Sequence, residues 1–116
     1  MPQRSRSSVR VFYPVDRAAV LDALRRGVER LDAALPLRKV VLFGSYGRGT
    51  HTVASDVDVL VVYRGQPRAD AYAQAKRLLG VRGVEPHVYA EGEDRASAAL
   101  LERMTAGGVV LLSRAA

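Results

Sequence analysis

A chain of 116 residues, 48% of them hydrophobic, is long enough for one packed core and too short for several. The absence of cysteine excludes disulfide scaffolds, thiolate metal sites and thiol catalysis, and no apolar run approaches the roughly 20 residues of a membrane-spanning helix. The net charge of +6 favours anionic partners, but only two phenylalanines and no tryptophan argue against a base-stacking platform, so direct nucleic-acid binding stays open.

The chain opens with a basic segment, residues 1–13, in which Arg4, Arg6 and Arg10 have no acidic company. It has no apolar h-region, so it does not read as a secretory signal, and the expected setting is the cytoplasm. Val9–Tyr13 reads as a short edge strand stopped by Pro14. A single domain is expected over 14–116. Asp16 is placed to N-cap a helix, and Val20, Leu21, Leu24, Val28 and Leu31 recur at helical spacing from Arg17 to about Ala34, where Pro36 closes the run.

Arg38–Phe43 is an apolar, β-branched run that reads as a buried strand ending at Gly44. Asp56–Tyr63 reads as a second strand, Ala69–Leu79 as an amphipathic helix ended by Gly80, and Val84–Tyr89 as a third strand. Pro86 removes a ladder donor, so that strand is expected to lie at an edge or to be irregular there. A helix over Ala96–Met104 and a strand-like Val109–Leu112 complete an α/β (α+β) pattern: a mixed sheet with helices packed mainly on one face.

Chemistry concentrates between the first two of these buried strands. Residues 44–58 read GSYGRGTHTVASDVD: Gly44-Ser45, ten residues, then Asp56 and Asp58. Alternate residues of a strand share a face about 7 Å apart, so both carboxylates can converge on one hard cation. Mg²⁺ is commonly held by one or two carboxylates together with substrate phosphates. Gly44, Gly47 and Gly49 let backbone approach a ligand, Ser45 offers a hydroxyl and an amide, and Arg48 offers a planar charged fork for phosphate oxygens. A Gly-Ser pair alone is an ordinary turn. Two aspartates on one strand face repel each other, and a bound cation explains that better than chance does.

With its G-S, ten residues and D-x-D, the chain resembles the minimal nucleotidyltransferases of the DNA polymerase β-like superfamily. Arg48-Gly49 fits the family's G-S-x-x-R-G run, although Tyr46 stands where an arginine is frequent. The resemblance implies transfer of a nucleoside monophosphate, with AMP from ATP favoured, to an acceptor hydroxyl. It implies two divalent ions, Mg²⁺ with Mn²⁺ as the alternative, held by Asp56, Asp58 and a third carboxylate. Glu85 is the candidate for that third position, and it departs from the family's aspartate by one methylene and by the Pro86 that follows. Gly44, Ser45, Arg48 and Gly49 are the implied phosphate-binding residues. His87 shares a strand face with Glu85 and reads more readily as a surface or core histidine; Tyr46 and Tyr89 fit either base stacking or ordinary packing.

Larger members of the superfamily append a helical acceptor-gripping domain. The resemblance to the minimal group therefore implies an acceptor site supplied by another chain. It points to a helical HEPN-type partner, with this chain as the antitoxin that modifies or masks its toxin. Two other readings stand beside it. One is a catalytically degenerate module that neutralises its partner by contact. The other is a small-molecule nucleotidyltransferase built as a homodimer.

Overall fold

The computed structural model describes residues 16–52, 55–93 and 97–114. The expected basic segment and the strand at Val9–Tyr13 lie outside them. Four helices and four strands follow in chain order: α1 (Arg17–Ala34), β1 (Leu37–Phe43), α2 (Gly44–Arg48), β2 (Val57–Tyr63), α3 (Ala71–Leu79), β3 (Val84–Ala90), α4 (Ala98–Met104) and β4 (Val109–Ser113). Each long helix begins or ends where local chemistry dictates. Asp16 accepts a hydrogen bond from the Ala19 amide at 3.2 Å at the start of α1, and Leu35 leaves that helix in an extended conformation just before Pro36. Gly80, at φ +66°, takes the left-handed turn that ends α3.

The strands form one mixed sheet in the order β3-β2-β1-β4. β1 is antiparallel to both β2 and β4, whereas β2 and β3 run parallel through the α3 crossover. β3 is an edge strand, so Pro86 takes no donor from a central ladder.

Strand alternation divides the core. Val40, Leu42, Val57, Val59, Val61 and Val84 pack toward Leu24, Val28 and Leu31 of α1 and Ala75 and Leu79 of α3. Val41, Phe43, Leu60 and Val62 point the other way and meet Leu101 and Met104 of α4. The two long helices thus share one face, as expected, and the short α4 lies on the opposite one. That second face also carries Asp58, which has the same strand parity as Leu60 and Val62.

Gly27 lets α1 and α3 touch: a Cβ built there would lie 2.3 Å from the Leu79 carbonyl oxygen. Arg30 closes the contact by donating to the carbonyls of Leu78 and Leu79 at 3.0 and 3.4 Å, which satisfies the end of α3. No helix among the described residues is long and apolar enough to cross a membrane.

Candidate functional site

β1 and β2 are joined by the Gly-rich segment, and their pairing sets the geometry at its base. Phe43 is the register partner of Asp58, so the last residue of β1 lies beside the second residue of β2. Gly44 follows at φ +69°, and a Cβ there would lie 2.5 Å from Asp58 Oδ2. The Gly-Ser turn therefore lies against the Asp58 carboxylate, and the positive φ favours glycine there.

α2 is a single turn held down from three sides. A Cβ at Gly47 would meet the Leu42 carbonyl oxygen at 2.7 Å, so glycine is needed for the turn to lie on β1. Gly49 ends it at φ +79° with its amide turned back to Ser45 and Tyr46. Arg17 of α1 donates from Nε to the Tyr46 carbonyl at 2.7 Å and from a terminal nitrogen to the Gly47 carbonyl at 3.0 Å. Sequence reasoning missed this role of Arg17, because nothing local to α1 announces a partner about thirty residues away. Tyr46 is fully buried, with its ring stacked on His51 at 4.1 Å, and burial pushes its phenol above the usual range. Its part is packing rather than base stacking.

At the other end of the turn, Phe43 N-caps α2 without a side-chain hydrogen bond, and Ser45 is half-buried beside it. Arg48 is exposed, with no polar partner among the described residues. Asp56 is also exposed and precedes β2, one residue outside the strand expected to begin there. The Val57 amide donates to the Gly83 carbonyl at 2.9 Å, which ties the start of β2 to the loop before β3.

Asp58 and Glu85 are register partners across the parallel β2/β3 pair, but their carboxylates have different company. Asp58 Oδ1 lies 3.3 Å from His87 Nε2, and the imidazole stands edge-on to Phe43 at 5.0 Å. Glu85 reaches over the open edge of the sheet toward α3. There it accepts from the Tyr72 hydroxyl at 3.3 Å and lies 3.9 Å from Lys76 Nζ. Partial burial and the Glu85 charge raise the Tyr72 phenol above its ordinary value. Lys76 donates mainly to the Val84 carbonyl, at 2.6 Å. Among the described residues no three metal-capable side chains gather into one group, so Asp56, Asp58 and Glu85 do not form a ready three-carboxylate cluster. The imidazole, rather than Glu85, occupies the place beside Asp58.

Residues 21–105 match the nucleotidyltransferase domain family. The chain belongs to that family. A nucleotidyltransferase from Sulfolobus solfataricus, provisionally so named, superposes with a TM-score of 0.61 at 25% identity, covering 84% of each chain, and has the same mixed-sheet fold. Two curated relatives match over shorter stretches. One is a bifunctional uridylyltransferase/uridylyl-removing enzyme of Cupriavidus pinatubonensis, 41% identical over 64 residues, or 55% of this chain and 7% of that protein. The other, provisionally named a protein adenylyltransferase, is from Methanocaldococcus jannaschii and is 54% identical over 26 residues, 22% of this chain and 26% of that one. The chain thus spans about a quarter or less of the curated relatives it matches. Nucleotidyltransferases generally use divalent ions and a nucleotide substrate, and the residues at hand fit such an ion in part. Asp58 has one oxygen toward the Gly-Ser turn and one toward His87, while Glu85 contacts Tyr72 and Lys76 of α3.

Proposed function

We propose that this chain transfers a nucleoside monophosphate from a nucleoside triphosphate to an acceptor hydroxyl. The observation that supports the reading is the contact between the Gly44 turn and the Asp58 carboxylate, since a nucleotide site needs backbone for phosphate beside a ligand for its cation. Asp58 and the exposed Asp56 would hold a divalent ion, which would supply charge neutralisation at the phosphates and a lowered pKa for the attacking hydroxyl. Ser45 and the first-turn amides of α2 face the phosphates, and Arg48, lacking a partner among the described residues, adds charge to their oxygens. The acceptor oxygen attacks the α-phosphorus, the bond to the β-phosphate oxygen breaks, and pyrophosphate leaves. ATP is the favoured donor, supported by the name of the M. jannaschii relative; the C. pinatubonensis name makes UTP the competitor.

The acceptor comes from a partner chain of the helical HEPN type, and this chain acts as its antitoxin. That role rests on the family resemblance. A second reading has a specific observation behind it: Glu85 is taken up by Tyr72 and Lys76, which suits a contact module whose catalytic site has decayed. Co-expression with the helical partner separates the two. In the enzymatic reading Asp56→Asn abolishes neutralisation while binding persists; in the contact reading neutralisation is untouched.

A further inference from the structure

We infer that the hydroxyl of Tyr72 is a second acceptor, and that the chain transfers a nucleoside monophosphate onto itself at that residue. The inference rests on the nucleotidyltransferase reading for its donor and adds an acceptor within the same chain.

The open edge of the sheet brings the hydroxyl to the site. α3 packs on the first face through Ala75 and Leu79. Along β3, Val84, Val88 and Ala90 turn toward that face, so Glu85, His87 and Tyr89 stand on the second one with Asp58. Tyr72 lies in the first turn of α3, and its hydroxyl reaches round the β3 edge to donate to Glu85 Oε2 at 3.3 Å. Glu85 is the register partner of Asp58, and neighbouring strands lie about 4.8 Å apart. A hydroxyl carried by a helix of one face is thus delivered, one hydrogen bond beyond Glu85, to the face of the proposed nucleotide site.

Two further features suit Tyr72 to accept. Lys76, one turn along α3, donates to the Val84 carbonyl at 2.6 Å and lies 3.9 Å from Glu85 Oε1. Side chains four apart share a helix flank, so Tyr72 and Lys76 engage the Glu85 carboxylate through both its oxygens. Tyr72 is also 47% exposed, whereas Tyr46 and Tyr63 are buried. An open phenol can meet a phosphate; a buried one cannot.

The contact has a chemical use. The Tyr72 oxygen attacks the α-phosphorus of the triphosphate, and the phenol proton passes to Glu85. The bond from the α-phosphorus to the bridging oxygen breaks, and pyrophosphate leaves. The product is a phosphodiester between Tyr72 and the nucleoside. The pairing that suits decay in the contact reading is here an acceptor beside its base.

The test is incubation of the full chain alone with ATP or UTP and Mg²⁺, followed by intact mass and peptide mapping, alongside calorimetry of nucleotide binding. One nucleoside monophosphate is expected on Tyr72, with a first-order rate constant independent of protein concentration. Tyr72→Phe is expected to lose the adduct while still binding nucleotide, and Glu85→Gln to slow its formation about a hundredfold or more. Circular dichroism checks that both variants fold, and the mapped position in wild type is decisive without either. An adduct on another residue, a rate constant that rises with protein concentration, or no adduct on protein that binds nucleotide overturns the inference and leaves the nucleotidyltransferase reading standing. No adduct together with no nucleotide binding removes both.

Discussion

Asp58 meets two different neighbours through its two oxygens, the Gly44 turn and the His87 imidazole. Gly44→Ala puts a Cβ against Oδ2 and forces a side chain into φ +69°. The left-handed conformation alone costs roughly 1–2 kcal/mol. The variant is expected to lose about that much stability in urea unfolding, together with metal-dependent nucleotide binding in calorimetry; a variant unchanged in both contradicts the assigned contact. The signature residues were legible because their relation is local: strand, turn and strand within fifteen residues fix Gly44 beside Asp58. The environment of Glu85 was not. Which way an edge-strand side chain leans is decided by Tyr72 and Lys76 on a preceding helix, and no pattern within Val84–Tyr89 records them. His87 was visible as a residue on the Glu85 face, but its distance from Asp58 needed the β2/β3 register.

Among the elements, helix α1 was the most legible, because Asp16, the i, i+3, i+4 apolar set and Pro36 all agree on Arg17–Ala34. Pro86 likewise pointed to an edge or irregular strand, and β3 lies at the edge. Gly27 carried no such signal; within a helical pattern it reads only as a weak residue. Its reason is tertiary, since Leu79 of α3 occupies the space of a Cβ. Gly27→Ala therefore sets two effects against each other. Helix propensity favours alanine by about 1 kcal/mol. A Cβ 2.3 Å from a backbone oxygen overpacks the α1/α3 contact, at a cost of typically 1–3 kcal/mol. Packing wins, and the urea midpoint is expected to fall; a rise would mean that α3 shifts freely. The short α4 was expected as a helix, but its position on the second face follows from Leu101 and Met104 meeting Val41, Phe43 and Leu60, which sequence spacing does not reveal.

Across the whole molecule, Arg114 at the end of β4 is tied to α1. Its guanidinium donates two hydrogen bonds of 2.9 Å to the Asp32 carboxylate, which also accepts from the Leu37 amide at 3.0 Å. Those Arg114 hydrogen bonds, aided by Leu37 and opposed by burial, hold the Asp32 carboxyl below the usual range. The folded state thus binds this proton less tightly than the unfolded chain. Its contribution is whole above the unfolded value of about 3.9 and is lost as pH falls through the lower folded value. Because Arg114 is 43% exposed, Asp32→Asn is expected to cost at most about 1 kcal/mol at neutral pH and to flatten the acid limb of the stability profile. An acid limb of unchanged slope contradicts that assignment. The same sheet that this pair anchors brings Gly44, Asp58 and His87 together at the proposed metal-dependent nucleotide site. The most direct test is calorimetric titration of ATP, UTP, GTP and CTP, with Mg²⁺ or Mn²⁺ and without either, into wild type and Asp56→Asn/Asp58→Asn. Binding is expected to require a divalent ion and to fall about 100-fold or more in the folded double variant, the equivalent of roughly 3 kcal/mol. Equal binding by the variant, or none by the wild type with any ion, would contradict the proposed site.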